Sequence, residues 1–264
     1  MIGRTNAGGG ENLDTVLATQ TTDLNNLETE INSLDDDKSY EMVKLLLTGK
    51  PASGVDVNFV VPDEITSLKG GVFAYWKYPY SGIYTLKSVV LPKKLTHIYP
   101  YCFAYSSELK TIDYSKVETS LITVDDYAFQ YCRALDFDKL IPVRQYSTGL
   151  FQYCSSLTIK TLPAPISTDT LGMQFYCFQG CTSLTEITFE WNVPKLGIQC
   201  FDGCTKLTKF SFPNNTAVPT LEQKNAIPTQ ALTIEVPASL LEQWKTATNW
   251  SSLTNVTWVA LEGK

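Results

Sequence analysis

The chain has 264 residues, 44% hydrophobic and 18% charged, which suits a folded core in one large domain or two small ones and excludes a disordered chain. A net charge of −6 argues against a phosphate-binding surface, which draws on clustered Lys and Arg, so nucleic acid is not an expected partner. No run of about 18 apolar residues occurs, so membrane insertion is not expected either.

Residues 1–12 read as a glycine-rich leader. Met1-Ile2-Gly3-Arg4-Thr5-Asn6-Ala7-Gly8-Gly9-Gly10 lacks the apolar stretch of a secretory signal, so the expectation is a chain made in a cytosol that leaves it by another route. The stretch Ile2 to Gly10 resembles an N-terminal signature of bacteriophage tail and fibre proteins. Residues 13–37 follow with Leu13, Leu17, Gln20, Leu24, Leu27, Ile31 and Leu34, spaced 4, 3, 4, 3, 4 and 3, an a/d seam interrupted only by Gln20. That spacing predicts a coiled-coil oligomerisation helix, started at Asn12 or Asp14 and ended by Asp35-Asp36-Asp37. A single amphipathic helix packed on the rest of the chain is the competing reading, because a helix of two or three heptads is marginal alone. Leu and Ile mixed at the a positions leave dimer and trimer open. Residues 38–58 contain a short predicted helix, Ser39 to Lys50, whose Met42, Val43, Leu46 and Leu47 would cap the domain that follows.

From 59 to 213 the sequence repeats. Phe103-Ala-Tyr-Ser-Ser-Glu-Leu109, Phe129-Gln-Tyr-Cys-Arg-Ala-Leu135, Phe151-Gln-Tyr-Cys-Ser-Ser-Leu157, Phe178-Gln-Gly-Cys-Thr-Ser-Leu184 and Phe201-Asp-Gly-Cys-Thr-Lys-Leu207 align without gaps. Phe and Leu stand six apart in each, and the Phe anchors are separated by 26, 22, 27 and 23 residues, inside the leucine-rich-repeat window. Units this small cannot bury their own apolar face, so they must stack and share one core. Alternation in Leu184, Ile187 and Phe189, or Leu207, Phe210 and Phe212, predicts a short strand entered from a turn. The i, i+4 placement of Cys177 with Cys181 and Cys200 with Cys204 predicts a helical or 3-10 turn around each Phe. A degenerate first copy begins at Phe73. It is split by the insertion Tyr75-Trp76-Lys77-Tyr78-Pro79-Tyr80-Ser81-Gly82-Ile83-Tyr84, which carries five aromatics. Loops on a rigid scaffold often carry recognition and aromatic anchors dominate interfaces, so Tyr75, Trp76, Tyr78, Tyr80 and Tyr84 are candidate ligand contacts. Packing of the same rings over the first repeat is the alternative.

The string Ile-x-x-x-(Ala/Cys)-Phe-x-x-Cys-x-x-Leu, with strands ending at Pro62, Pro92 and Pro213, resembles the BspA-like leucine-rich repeats of bacterial and protist surface proteins. His97-Ile98-Tyr99-Pro100-Tyr101-Cys102-Phe103 and Leu196-Gly197-Ile198-Gln199-Cys200-Phe201 carry the likeness best. The resemblance implies adhesion or recognition. Residues 214–264 read as a C-terminal cap, with a helix from Pro237 to about Thr246 and a last strand near Val256-Thr257-Trp258-Val259; Val236 to Ser251 resembles the segment that closes such arrays. The expected fold is therefore an α+β repeat solenoid, a leucine-rich-repeat array of short strands and helical or 3-10 turns behind an N-terminal coiled-coil helix.

Seven cysteines and one histidine bound the chemistry. Cys177, Cys181, Cys200 and Cys204 supply four thiols in adjacent repeats, a set that suits zinc or a stacked disulfide. They fall, however, in the same slots as Ala128, Leu150 and Ser106, which favours small buried hydrophobes with no metal. His97 beside Cys102 is a poor nucleophilic pair because Cys102 sits in a core slot. Asp35-Asp36-Asp37 and Asp125-Asp126 follow no calcium-loop pattern and read as solvated turns. The sequons at Asn214, Asn249 and Asn255 are read as chance matches in the absence of a secretory route. No catalytic residue and no cofactor is expected.

Leader, coil and recognition domain in that order imply a bacteriophage virion protein. In that arrangement the leader docks on other virion proteins, the coil makes a homotrimer, and the repeats face a host cell-surface glycan or protein. Such a protein is made in the host cytoplasm and released by lysis. The alternative is a bacterial cell-surface adhesin or effector exported by an unrecognised route.

Overall fold

The computed structural model describes residues 55–74, 84–118, 122–141, 143–166 and 172–263. The leader, the heptad seam, the Ser39–Lys50 segment and Tyr75 to Tyr80 lie outside those residues.

Every strand pairs in parallel with its equivalent one repeat away, because each repeat returns the chain to the same place one layer along. The first row of strands holds β1 (Val55–Val60), β3 (Tyr84–Val90) and β5 (Thr111–Asp113), in the order β1-β3-β5. It resumes with β7 (Thr161–Leu162), β8 (Glu186–Phe189), β10 (Lys209–Ser211), β12 (Leu232–Pro237) and β13 (Val256–Leu261). A second row of two-residue strands holds β2 (Ser67–Leu68), β4 (His97–Ile98), β6 (Thr123–Val124), β9 (Lys195–Leu196) and β11 (Thr220–Leu221). Single bridges from Ile122 to Val143 and from Met173 to Leu196 carry that row through the middle. Alternate residues point inward as the pleat requires: Ile187 and Phe189 are buried while Glu186 and Thr188 are half-exposed.

Register matches equivalent positions, so Ile187 faces Phe210, which faces Ile234, which faces Trp258. Pairing by equivalence also lines up charges. Lys87–Glu108, Lys160–Glu186, Lys195–Glu222 and Lys209–Glu235 bridge neighbouring layers at 3.2, 2.7, 3.0 and 2.8 Å. Exposed pairs of this kind add little stability, but like charges facing one another would penalise a slipped register.

One layer lacks its strand. After Leu135, Phe137 turns inward and meets Phe129 and Phe151 edge-on at 6.4 and 6.0 Å. Asp136 stands in for the missing ladder: its Oδ1 accepts from the amides of Phe137 and Thr158 at 2.9 and 2.8 Å, and its Oδ2 from the Thr158 hydroxyl at 2.6 Å.

The expectation of helical or 3-10 turns, and with it the α+β class, is corrected here: the fold is a parallel-strand solenoid with little helix. Among the described residues the one α-helix is α1 (Leu241–Thr246), with 3-10 turns at Lys224–Ala226, Ala238–Leu240 and Trp250–Ser252. The turns around Phe103, Phe129, Phe151, Phe178 and Phe201 are not helical because each holds two residues at positive φ, a conformation a right-handed helix cannot contain. Strand β1 is already a full rung paired with β3, and β12 and β13 extend the sheet past Phe212. What closes the C-terminal end is a tryptophan cluster. Trp244 lies tilted against Phe212 at 4.8 Å and edge-on to Trp250 at 4.6 Å, and the Trp250 Nε1 donates to the Pro219 carbonyl at 2.8 Å.

Candidate functional site

The repeated string places its residues on two sides of one turn. Inward, Phe73, Phe103, Phe129, Phe151, Phe178 and Phe201 form a single stack, with successive centroids 4.9, 5.4, 5.4, 5.3 and 5.3 Å apart. That spacing is close to the separation of neighbouring strands, roughly 4.7–4.9 Å, so one ring per layer fills the core. Three residues after each Phe, the side chain donates to the Phe carbonyl of the preceding layer. Cys132, Cys154, Cys181 and Cys204 do so through Sγ at 3.1 Å, and Ser106 does so through Oγ at 2.7 Å. All seven cysteines are unpaired and buried. Burial pushes each thiol up, Cys204 to about 12. Neutral thiols of this kind neither attack nor hold zinc, which needs thiolates. Among the described residues no group of three or more His, Cys, Asp or Glu side chains converges on a metal position.

Outward, the same turns carry tyrosines. Two residues before each Phe stand Gly71, Tyr101, Tyr127, Gly149, Tyr176 and Gln199, and two after stand Tyr105, Tyr131, Tyr153, Gly180 and Gly203. All eleven have positive φ, between 53° and 73°. The geometry suits glycine, and an L side chain there costs on the order of 1–2 kcal/mol. Six of the eleven are nevertheless tyrosine. Their rings recover part of that cost by stacking. Tyr101 lies on Tyr127 at 5.1 Å, while Tyr105, Tyr131 and Tyr153 form a second row at 4.6 and 4.5 Å. Each row ends over a glycine. A Cβ on Gly149 would sit 2.2 Å from the Tyr127 ring, and one on Gly180 would sit 2.3 Å from the Tyr153 ring.

Between the rows runs a ladder of three carboxamides, one residue after Phe129, Phe151 and Phe178. Gln130 Nε2 donates to Gln152 Oε1, and Gln152 Nε2 to Gln179 Oε1. Gln179 Nε2 then reaches Asp202 Oδ2 at 3.3 Å, which also accepts from Gln199 at 3.1 Å. Tyr101, Tyr105, Tyr127, Gln130, Gln152 and Tyr176 line an open trough of about 740 Å³. None of these six is charged. Burial, and behind it a neighbouring phenol, raises the hydroxyls of Tyr127 and Tyr153, so both are neutral throughout the physiological range. A second concavity, about 610 Å³, lies at the C-terminal end between Phe175, Ile198, Val218, Pro219 and Trp250.

The residues singled out from the sequence do not gather at the trough. Tyr75, Trp76, Tyr78 and Tyr80 are outside the described residues, and Tyr84 opens β3 opposite Val55. By repeat position Tyr75 stands two after Phe73, in the sequence slot of Tyr105. His97 lies flat on Tyr99 at 4.0 Å and its Nε2 is 2.7 Å from Asp125 Oδ2, whereas Cys102 is fully buried. Asp126 accepts from the Thr148 amide at 3.0 Å. Asn249 and Asn255 direct their side-chain amides to the carbonyls of Leu221 and Thr229. The sequence signal for the tyrosine rows is Tyr-x-Phe-x-Tyr, at 101–105 and 127–131, and for the ladder Phe-Gln, at 129–130, 151–152 and 178–179.

A family model described as BspA type leucine rich repeat region matches the chain in six copies, over residues 76–172 and 147–257. No curated protein matches in sequence. Among solved structures, a leucine-rich-repeat protein of Treponema pallidum is 17% identical, with 79% of this chain and 87% of that one covered at a TM-score of 0.47. A leucine-rich cell-surface protein of Faecalibacterium prausnitzii is 14% identical, with 81% and 89% covered and a TM-score of 0.30. A leucine-rich-repeat protein of Bacteroides ovatus is 16% identical, with 78% and 69% covered and a TM-score of 0.30.

Proposed function

The chain belongs to the BspA-type leucine-rich-repeat family, and from that premise we propose that it acts by binding, not by catalysis, with the tyrosine–glutamine trough as its contact surface. One observation carries the reading: six tyrosines occupy turn positions where glycine is unstrained and where glycine does stand in other layers. Local strain is kept where a function uses it, and an aromatic, amide-floored trough is a recognition surface. The buried thiols, and a single histidine stacked on Tyr99 and paired with Asp125, support a non-enzymatic role.

Of the two settings considered, the family match favours a bacterial cell-surface adhesin over a virion fibre. The match spans the repeats, 76–257, whereas the virion reading rests on residues 2–10 and on the heptad seam from Leu13 to Leu34, both outside the match. The aromatic segment Tyr75 to Tyr84 is a separate candidate ligand contact, proposed on its sequence alone.

The test is flow cytometry of the labelled full chain on a panel of eukaryotic and bacterial cells, beside Gln130→Arg. That substitution puts a long cation into a neutral trough and leaves both tyrosine rows in place. Labelling of at least one cell type, reduced about tenfold or more by the substitution, is the expected result. A chain that labels nothing, or labels equally well with Arg at 130, overturns the reading.

A further inference from the structure

We propose that the trough binds an uncharged polysaccharide laid along the solenoid axis, recognised through its hydroxyl groups; this rests on the trough being the contact surface.

The rings point to hydroxyls and not to an apolar partner. Within each row the faces are covered by the next ring, at 5.1 Å for Tyr101 on Tyr127 and 4.6 and 4.5 Å along Tyr105, Tyr131 and Tyr153. What a stacked row offers to a ligand is its edge, where the phenol oxygens lie. The floor is of the same kind. Each ladder carboxamide gives one N–H to the next layer, and a primary amide keeps a second N–H and a further carbonyl lone pair for a ligand. Donors and acceptors therefore recur through the three successive layers of Gln130, Gln152 and Gln179, in one direction, ending at Asp202. A polymer with a uniform repeat and many hydroxyls meets such a row with many weak, equivalent hydrogen bonds, and linking them raises the total affinity.

Other chain-like ligands fit less well. A peptide adding as a strand needs unpaired backbone groups, yet the turn amides of Tyr105, Tyr131 and Tyr153 already donate to the carbonyls of Gln130, Gln152 and Gln179 at 2.7, 2.8 and 2.7 Å. A polyproline ligand needs open aromatic faces, which the stacks have used. A sulfated or uronate-rich glycan needs a row of cations; the six lining residues supply none, and Arg133, 5.6 Å over the Tyr131 ring, adds a single charge on a chain of net charge −6.

Affinity electrophoresis of the full chain tests this, in native gels cast with amylopectin, galactomannan, xyloglucan or dextran, and with heparin or polygalacturonate as anionic comparisons. Retardation by at least one neutral polymer and by neither anionic one is expected. The double variant Tyr131→Phe/Tyr153→Phe keeps both rings, so its thermal melt is unchanged while retardation weakens about tenfold. A Tyr131→Ala variant that fails to fold does not enter the comparison, because the Phe variant carries it. Retardation by heparin alone, by no neutral polymer, or to the same extent in the Phe variant overturns the proposal. Treating a labelled cell type with periodate, which cleaves vicinal diols, or with protease separates the two readings. If Gln130→Arg abolishes labelling and protease removes it while periodate does not, the trough stands and its partner is a protein. If labelling ignores Gln130→Arg, the trough reading itself falls.

Discussion

Neutral thiols buried in the five layers of Phe103 to Phe201 make the protein sensitive to alkali. The sign follows from the direction of the shifts. Unfolded thiols release their protons near their ordinary value of 9.0, whereas burial holds the folded ones up, Cys204 to about 12. Their contribution is complete below pH 9, declines as pH rises from there, and is lost through the folded values; each thiol costs about 1.4 kcal/mol per pH unit across the window. Urea melts between pH 9 and 11 should show stability falling steeply, and Cys154→Ala should reduce the slope by one proton. The slot itself accepts oxygen for sulfur, since Ser106 donates to Phe73 as Cys154 does to Phe129. Cys154→Ser should therefore cost less than about 1 kcal/mol, while Cys154→Val, which removes the donor and adds bulk to a filled core, should cost about 1–3 kcal/mol. Thermal melts of the two variants check the order. Single residues were legible to this extent: the cysteines read as core because they alternate with Ala128, Leu150 and Ser106.

At the level of the turn, conformation and packing can be separated by two glycines. Gly149 and Gly203 both have positive φ, 58° and 72°, but a Cβ meets the Tyr127 ring at 2.2 Å in the first and nothing closer than 3.5 Å in the second. Gly203→Ala should cost about 1 kcal/mol of backbone strain, and Gly149→Ala clearly more because a stacked ring must also move. Equilibrium unfolding of both variants decides it. In the middle of the inner stack, Phe151→Ala should cost about 3–5 kcal/mol, since its ring is fully buried between Phe129 and Phe178. The strands after Leu184 and Leu207 were readable from alternation. The turn was not, because i, i+4 spacing of two inward side chains is satisfied equally by a helix and by a turn with two left-handed residues.

For the whole molecule, the oligomer expected from Leu13, Leu17, Gln20, Leu24, Leu27, Ile31 and Leu34 is a separate proposal from the solenoid. Light scattering of the full chain should give a dimer or trimer at micromolar concentration, and Leu17→Asp/Leu24→Asp a monomer with an unchanged thermal melt of the repeats. A monomeric parent chain removes the coil and leaves the fold untouched. Replacing Trp76 and Tyr78 with Ala tests the aromatic insertion in the same way. Lost cell or glycan binding with an unchanged melt marks it as a ligand contact, and lost folding marks it as a packing element.

By itself the sequence determined the repeat, its period, the inner phenylalanine stack and the burial of the thiols. Each of these follows from which residue types recur at fixed spacing, and burial of apolar groups needs no more than that. Only the tertiary structure decided where the solenoid begins and ends, that one layer replaces its strand with Asp136, and that Tyr105, Tyr131 and Tyr153 form a row beside a glutamine ladder. Those features depend on the sign of φ at single turn residues and on contacts between residues 22 to 27 apart, as in Gln130 to Gln152 to Gln179. Such contacts come into being only when one layer has settled on the next.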